Sequence, residues 1–374
     1  MLKRCKRFLR RKIKLLLIHL LNVFFWFKRE TRSLPEDPKK ILICNIASFG
    51  DVVISTVVLP VLKRRYPKAE LGFLLSSQTA EVLQDHPFVS YLHTFDHWYR
   101  NWRRGVWRAF IEHVKGRYRV IKEIQKCGYD MAIDLYPVFW MSILPLLSKT
   151  KIPIRIGYSI EGYSHLLTHS IPLRALPQYK GKTHLNLLEI LGIDVSQDSP
   201  FPFCVSKKAP QRGFIQDYIV VHMGTSYALK EWNIQKWSQV IQTLSDQGEK
   251  VILTGKGNRE QMLCDRVSST VKCMNYCNQL SWSEFASVVQ HAKLLISVDS
   301  VAVHLASAVL APCIVLFAGI SCMTTWNPPY PLCQALMKQV RCSPCLNRQG
   351  CKSMTCIQEI QPKEILRHAK KLLC

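Results

Sequence analysis

Short apolar runs alternate along the chain with longer segments whose apolar residues have helical spacing. The runs Ile41–Ala47 and Glu70–Leu75 flank Val52–Arg65, which has this helical spacing, and a turn is predicted at Ser48–Asp51. A strand, a helix and a second strand at this separation form a βαβ unit, and such units build parallel sheets. The pattern therefore predicts an α/β domain that begins at Lys40.

The same alternation continues through the rest of the chain. Further strands are predicted at Tyr129–Leu135, Ile152–Gly157, Asp217–His222, Lys250–Thr254, Leu294–Val298 and Cys313–Phe317. Further helices are predicted within His97–Lys126, at Trp237–Gln247, at Trp282–Ala292, after Val298 through Ala308, and at Pro362–Leu373. The pattern restarts after the proline-containing stretch Asp198–Pro210, which is predicted to be a linker. These elements predict the α/β fold class, with two Rossmann-like domains that face each other across a cleft.

The predicted domain boundaries follow from these patterns. Residues 40–205 form the first domain, residues 215–340 form the second, and residues 341–374 hold a cysteine cluster and a C-terminal helix. Parallel α/β sheets bind their ligands beyond the carboxyl ends of the strands. Polar side chains that follow directly after predicted strands are therefore the candidates for chemistry.

The first 30 residues differ in composition from the rest. Residues 1–14 carry eight Lys and Arg residues, and residues 15–27 are apolar except for His19 and Asn22. This apolar run is short of the roughly 20 residues that span a bilayer. Positive charge beside Leu, Phe and Trp is typical of a helix that lies on an anionic membrane. A signal anchor and a helix packed on the body are the alternatives, and residues 31–39 are predicted to be a linker.

The charge balance implies an anionic partner. The chain has 51 Lys and Arg residues against 26 Asp and Glu residues, for a formal net charge of +25. Nucleic acid, an acidic membrane surface and a phosphorylated substrate would each match this charge. Basic and aromatic residues are interleaved in Trp98–Arg108 and Arg117–Arg119, a pattern that can follow phosphates and stack bases. Nucleic-acid binding is therefore a competing hypothesis, beside a generally basic surface without a specific partner.

The first candidate for chemistry is Asp51, which follows the first predicted strand in Ser48-Phe49-Gly50-Asp51. An aspartate here can act as a general base that takes a proton from an attacking hydroxyl. The alternative is structural, because Asp is also a favoured N-cap residue.

Two further groups of candidates lie in the second half. Thr225, Ser226 and Lys230 follow one predicted strand, and Asp299, Ser300 and His304 follow another. Hydroxyl groups, a lysine ammonium and the N–H groups at a helix start are suited to binding a diphosphate. For each group taken alone, a solvated surface lysine or an ordinary capped helix with a satisfied histidine is an equally simple interpretation.

Metal-binding signals are weak. Sugar-nucleotide transferases that depend on a metal often hold it with a D-x-D pair, and the chain contains no such pair. Cys342, Cys345, Cys351 and Cys356 form a compact cluster that could bind a structural Zn²⁺ ion through four thiolates. Reduced thiols or a local redox pair are the alternative. The fifteen cysteines, an odd number and mostly scattered, suit a cytoplasmic protein with reduced thiols.

The order of these motifs resembles that of a known family. The motifs are Ile46-Ala-Ser-Phe-Gly-Asp-Val-Val53, Tyr129-Asp-Met-Ala-Ile-Asp-Leu135, Arg155-Ile-Gly157, Lys230-Glu-Trp-Asn-Ile-Gln-Lys-Trp237, Asp299-Ser300 with His304-Leu-Ala306, and Leu316-Phe317. In this order they resemble the bacterial heptosyltransferases, the glycosyltransferase family 9 enzymes of lipopolysaccharide core synthesis. The resemblance covers residues 40 to about 330.

The resemblance implies a GT-B fold and an inverting transfer that needs no metal, typically of heptose from ADP-heptose to a lipid A–Kdo acceptor. It implies that Asp51 is the base, that Lys230 binds the donor phosphates, and that Thr225, Ser226, Asp299, Ser300 and His304 line the donor site. It also implies a cytoplasmic enzyme at the inner membrane with an anionic glycolipid acceptor, and it argues against nucleic acid. In the resembled fold the C-terminal helix returns to the first domain.

Two departures from the family pattern leave the donor open. Val301 stands where the family has a glycine, and Gly257 stands near the expected acidic contact to the ribose. The alternatives are therefore a related transferase with another nucleotide sugar or acceptor, and a non-catalytic scaffold that binds a nucleotide sugar.

Overall fold

The computed structural model describes residues 32–97, 106–138, 142–159, 163–173, 178–203, 217–347, 349–351 and 353–373. The chain divides into two compact units: Met1–Leu176 with His184–Asp198, and Pro177–Thr183 with Ser199–Cys374. The predicted helix in residues 1–30 lies outside the described residues, as does most of the predicted linker Asp198–Pro210. Among the described residues, no helix is both long enough and apolar enough to cross a bilayer.

The first unit contains six strands and five helices among its described residues, with the fifth helix shared between the units. The strands are β1 (Lys40–Cys44), β2 (Glu70–Leu75), β3 (Val89–Thr94), β4 (Met131–Asp134), β5 (Ile154–Ser159) and β6 (His169–Pro172). The helices are α1 (Phe49–Ser55), α2 (Val58–Arg65), α3 (Val106–Cys127), α4 (Leu144–Leu147) and α5 (Lys180–Leu188). Short 3₁₀ turns lie at Ser77–Val82, Ser164–Leu166 and Glu189–Leu191.

The second unit repeats this alternation. Its strands are β7 (Tyr218–His222), β8 (Lys250–Thr254), β9 (Met274–Asn275), β10 (Leu294–Val298), β11 (Cys313–Leu316) and β12 (Cys333–Leu336). Its helices are α6 (Ile234–Asp246), α7 (Asn258–Ser268), α8 (Trp282–Gln290), α9 (Val301–Ser307), α10 (Met323–Trp326), α11 (Thr355–Gln358) and α12 (Pro362–Leu373). A 3₁₀ turn lies at Ala228–Lys230.

Both sheets are parallel and have the same strand order. The first sheet runs β3-β2-β1-β4-β5-β6, and the second runs β12-β11-β10-β7-β8-β9. Read from its other edge, the second order is β9-β8-β7-β10-β11-β12, which is the first order with each strand number raised by six. This is the doubly wound Rossmann order, which reverses between its first and fourth strands. Each unit therefore has a switch point, at β1 and β4 in the first and at β7 and β10 in the second.

The central strands are apolar because helices cover both of their faces. All five residues of β7 and all five of β10 are buried, and the two strands pair in register from Leu294 with Ile219 to Ser297 with His222. Strands buried on both faces read as continuous apolar runs without a polar alternation. This explains why these strands are recognisable in the sequence.

The helix predicted at Val52–Arg65 is in fact two helices, α1 and α2. Pro60 lies in the first turn of α2, where it has no N–H to donate and its ring excludes a helical carbonyl four residues earlier. The proline therefore fits the start of a new helix but not the middle of a continuous one. The predicted turn at Ser48–Asp51 is also shorter than expected, because α1 already begins at Phe49.

The C-terminal helix α12 belongs to the second unit. Ile365 and Ala369 are buried in the same core as Trp237 of α6, and Lys236 donates to the carbonyl oxygens of Gln358 and Ile360 at 2.6 and 3.1 Å. The amphipathic helix was predicted correctly, but the expectation that it would return to the first domain was wrong. Its apolar face is buried in the core of the second unit.

Helix α8 begins with a reciprocal cap. The Ser281 hydroxyl accepts from the Glu284 N–H, and the Glu284 carboxylate accepts from the Ser281 N–H at 2.8 Å. This capping box pairs two backbone donors that would otherwise have no partner within the helix.

Replacing Ser281 with Ala should lower the free energy of unfolding of the second unit by about 1 kcal/mol, since a backbone donor loses its partner. Ser281→Thr, which keeps the hydroxyl, should stay close to the wild type. Denaturant unfolding followed by tryptophan fluorescence measures the difference. Equal stability of the Ala and Thr variants would show that the cap does not contribute.

Candidate functional site

The loops after β7 and β10 meet at the switch point of the second sheet. Thr225 lies three residues after β7, and its hydroxyl donates to the backbone carbonyl of Asp299, directly after β10, at 3.4 Å. Both residues are buried. The two groups of candidate residues are separated by 69 positions at their nearest members, Lys230 and Asp299, and they form one site beyond the strand ends. Doubly wound sheets bind their ligands at such places.

Lys230 and Asp299 form an ion pair in this site. The Lys230 Nζ atom lies 2.6 Å from Asp299 Oδ2, and the side chains are 23% and 6% exposed. Lys230 ends the 3₁₀ turn Ala228–Lys230, which turns the lysine toward the strand ends. The interpretation of Lys230 as a solvated surface lysine is therefore wrong. A lysine ammonium has three N–H donors, and Asp299 accepts from one of them, so donors remain for an anionic ligand.

Ser300, rather than Asp299, is the cap of helix α9. Its hydroxyl accepts from the Ala302 N–H at 3.3 Å, and Ser297 Oγ lies 3.0 Å from the same oxygen. The carboxylate of Asp299 is thus available to hold Lys230. Ser300 therefore caps the helix, and Asp299 positions the cation.

Val301 is the first residue of α9, where the sequence resemblance predicts a glycine. Val301 has a negative φ angle and lies in a helix. Valine adopts this ordinary helical conformation without strain. The side chain is half-buried. The loop therefore keeps its backbone shape without the glycine.

His304 lies one turn into α9 and is buried. Its Nδ1 atom has no hydrogen-bond partner, and its ring lies 6.4 Å from the ring of Trp326. Burial lowers the pKa of His304, the negative charge of Asp299 opposes this shift, and the positive charge of Lys230 adds to it, so that the pKa falls to about 4. The imidazole is therefore neutral near pH 7. The expectation of a satisfied structural histidine is wrong for Nδ1, which is buried without a hydrogen-bond partner.

Glu260 is a site residue that the sequence analysis missed. It lies in the first turn of α7, directly after the Gly255-Lys256-Gly257 turn, and its Oε2 atom accepts from the Lys256 N–H at 2.9 Å. A Cβ atom on Gly224 would lie 2.3 Å from the Glu260 side chain, so the glycine makes room for this carboxylate beside the β7 loop. An acidic residue was expected near Gly257, and the structure places one three residues further along.

Arg259 and Glu231 connect the same two loops. The Arg259 guanidinium donates to the Thr225 carbonyl oxygen, and its Nε atom lies 2.8 Å from Glu231 Oε1. Burial raises the pKa of Glu231, while Arg259 opposes this shift. These residues hold the β7 loop and the start of α7 together. In the sequence, only the glycine-bearing turn before Arg259 signals this arrangement.

Ser226 is exposed on the β7 loop, next to the buried Thr225. The two hydroxyl residues of this turn thus differ in environment, since Thr225 is buried against the backbone carbonyl of Asp299 in the β10 loop. The assignment of Ser226 to the site stays a prediction.

Asp51 follows β1, which is the strand of the first unit that corresponds to β7. It is half-buried in the first turn of α1, after the central strand β1, and its backbone carbonyl accepts from the Asn45 side chain at 3.2 Å. The N-cap position of α1 is occupied by Ser48, so the interpretation of Asp51 as an N-cap is wrong. Its role as a base stays a prediction.

The four clustered cysteines line one cavity of about 130 Å³. Cys342, Cys345 and Cys351 are exposed, whereas Cys356 is buried and its Sγ atom accepts from the Gly319 N–H at 3.1 Å. Within the described part of the chain, no three His, Cys, Asp or Glu side chains are placed to hold a metal ion. The zinc hypothesis therefore rests on the spacing of the four cysteines and stays a prediction.

Comparisons with known proteins agree with this architecture. The family model for glycosyltransferase family 9 (heptosyltransferase) matches residues 117–355. Lipopolysaccharide heptosyltransferase 3 of Escherichia coli K12 is 26% identical over 293 residues, which cover 75% of this chain and 82% of that protein. The family match begins after Asp51, so it bears on the second unit and on part of the first.

Two solved structures show the fold. The glycosyl transferase family 9 from Veillonella parvula has a TM-score of 0.76 at 19% identity, covering 91% of this chain and 99% of its own. The E. coli heptosyltransferase WaaC, solved with ADP-2-deoxy-2-fluoro heptose, has a TM-score of 0.70 at 17% identity, covering 89% and 99%. The predicted fold class, with two Rossmann-like domains of the GT-B type, is confirmed.

The buried His304 should make the second unit less stable in acid. In the unfolded chain a histidine has a pKa of about 6.5. Between that value and about 4, the unfolded state binds a proton that the folded state does not, so the free energy of unfolding falls as the pH is lowered. The loss is expected to be about 2 kcal/mol between pH 7 and pH 5.

The comparison of wild type and His304→Gln in denaturant unfolding at both pH values measures this contribution. The variant should lose less stability than the wild type over the same interval. Equal losses would contradict the neutral state of His304.

Proposed function

This chain belongs to glycosyltransferase family 9, and from that premise we propose that it transfers heptose from ADP-heptose to the core region of lipopolysaccharide. The reaction is proposed to invert the anomeric carbon and to need no metal. The observation that carries the proposal is the Lys230 ammonium, which Asp299 holds at the switch point of the second sheet.

The donor is proposed to bind with its diphosphate at the β7 and β10 loops. Lys230 supplies a positive charge there, and the hydroxyl groups of Thr225, Ser226 and Ser300 supply further polar contacts. The WaaC structure with an ADP-heptose analogue supports an ADP-sugar as the donor of this chain, since both chains share the fold. Asp299 contributes by keeping the lysine in place.

Glu260 is proposed to bind the ribose of the donor. In doubly wound sheets an acidic residue near the second strand accepts hydrogen bonds from ribose hydroxyls. Glu260 lies after β8, the neighbour of β7, and close to Gly224. Under this proposal, Glu260 takes the place of the acidic contact that was expected near Gly257.

In the proposed reaction, the Asp51 carboxylate takes the proton of an acceptor hydroxyl. The hydroxyl oxygen then forms a bond to the anomeric carbon on the side opposite the diphosphate, and the bond from that carbon to the diphosphate oxygen breaks. ADP departs with the bonding electron pair, and Lys230 stabilises the negative charge that develops on it. The neutral His304 provides a polar, uncharged neighbour beside this charge.

The acceptor is proposed to be an anionic glycolipid, and the enzyme is proposed to work at the cytoplasmic face of the inner membrane. The net charge of +25 supports such a partner. The similarity to lipopolysaccharide heptosyltransferase 3 supports lipopolysaccharide as the acceptor. Residues 1–30 are proposed to contribute membrane affinity through their basic and apolar composition.

Substitution of Asp51 and Lys230 tests their proposed roles as the base and as the cation that stabilises the leaving diphosphate. In an assay of transfer from ADP-heptose to a lipid A–Kdo acceptor, Asp51→Asn should lower kcat by about 10²- to 10⁴-fold, because the base is lost. Lys230→Ala should lower kcat by about 10²- to 10³-fold, because the leaving diphosphate loses its cation.

Matched controls are Asp85→Asn in the first unit and Lys272→Ala in the second, both of which are exposed residues away from these loops. They should retain wild-type turnover. Wild-type turnover by Asp51→Asn and Lys230→Ala would defeat the assignment of both roles.

Chelation tests the proposed independence from metal. Because no D-x-D pair is present, transfer rates with EDTA and with added Mg²⁺ or Mn²⁺ should agree within about twofold. A loss of transfer with EDTA that is restored by a divalent cation would overturn this part of the mechanism.

A further inference from the structure

Helix α3 of the first unit exposes a row of large apolar side chains. Trp107, Ile111, Val114 and Tyr118 follow one another at spacings of four, three and four residues, so they lie along one side of the helix. Trp107 is 81% exposed and Tyr118 is 67% exposed. Single exposed apolar residues are common on proteins, but a continuous row of this kind marks an interaction surface.

The orientation of this row is fixed by the opposite side of the helix. Ala109, Val120 and Ile124 are buried in the first unit, and Arg117 donates to the Pro145 carbonyl at 2.9 Å. The His113 ring packs against Phe95 with the ring centroids 5.1 Å apart. The helix therefore cannot rotate to bury the exposed row without losing these contacts.

A row of basic residues runs beside the apolar row. Lys115, Arg119, Lys122 and Lys126 are all exposed, and they repeat the same four, three and four spacing. Each lies eight positions after one member of the apolar row, which puts the basic row about 80° around the helix. The helix has two acidic residues. One of them, Glu123, lies with its Oε1 atom 3.5 Å from Arg119 Nε and with its Oε2 atom 3.6 Å from His93 Nδ1.

We propose that this face of α3 binds the surface of an anionic bilayer. Apolar side chains would enter the boundary between headgroups and acyl chains, while the basic row would lie against anionic headgroups. Tryptophan and tyrosine, at the two ends of the row, are the residues that favour this boundary. This surface goes beyond the proposed transfer reaction, since none of its residues belongs to the proposed site.

Charge favours a bilayer over the other occupants of an apolar face. An antiparallel symmetric pairing of two copies through the apolar rows would put both basic rows on the same side of the interface, where like charges repel. Residues 15–27 of this chain are apolar, but the 14 residues before them carry eight positive charges, which the basic row would repel.

Co-sedimentation of the full chain with vesicles tests the proposal. The vesicles are phosphatidylcholine alone or phosphatidylcholine with phosphatidylglycerol. Trp107→Ser with Tyr118→Ser should weaken partitioning onto the anionic vesicles by about tenfold, because apolar area no longer enters the bilayer. Lys115→Gln with Lys122→Gln should weaken partitioning onto the anionic vesicles by about 30-fold, since each lost charge contributes about fivefold. The same variant should not change the weaker binding to phosphatidylcholine.

Matched controls lie on the second unit. Met262→Ser with Leu332→Ser removes exposed apolar side chains, and Lys272→Gln with Lys363→Gln removes two exposed charges. Both should partition like the wild type. All variants should transfer heptose to a delipidated acceptor in solution at the wild-type rate, which separates this proposal from the proposed reaction.

Hydrogen exchange of the full chain should show protection of residues 106–127 when anionic vesicles are added. Wild-type partitioning by both α3 variants would overturn the proposal. So would a wild-type dimer that Trp107→Ser with Tyr118→Ser converts to a monomer while vesicle binding persists, because the face would then join two copies. Binding to RNA that both α3 variants lose, with no vesicle binding by the wild type, would assign the face to nucleic acid instead.

Discussion

Reversal of strand order at the centre of each sheet is the constraint on which the sites depend. The connections that leave two neighbouring central strands run to opposite faces of a doubly wound sheet, so the loops separate and leave a crevice between them. In the second unit, this crevice lies between the loops after β7 and β10, and Lys230 reaches Asp299 across it. In the first unit, Asp51 follows β1, the strand at the corresponding reversal.

The ion pair between Lys230 and Asp299 is better understood as a positioning device than as a source of stability. Removing two charges from water is costly, and a half-buried pair regains that cost only in part. What the pair provides is a fixed cation at the end of a 3₁₀ turn, supported by the contacts of Thr225 and Arg259 with the same loops. A lysine held in this way needs little rearrangement when an anion arrives, which is how preorganised charges act in catalysis.

Much of this arrangement could be predicted from sequence because the central strands are buried on both faces and read as apolar runs. The polar residues after β7 and β10 were identified for the same reason. Local interactions were harder to predict: Pro60 divides one expected helix into two, and Ser48 takes the N-cap position that was considered for Asp51. Glu260 was missed because its place beside Gly224 depends on the packing of two loops that are distant in sequence.

The neutral state of His304 has a consequence for the end of the catalytic cycle. An enzyme that gathers several full positive charges around a diphosphate also retains the spent nucleotide, and slow product release then limits turnover. Here the charge of Lys230 is offset by Asp299, and the imidazole beside them is uncharged near pH 7. In the proposed reaction, one cation of offset charge would attract the departing diphosphate enough to help the bond break, and the modest net charge of the site would let the nucleotide leave.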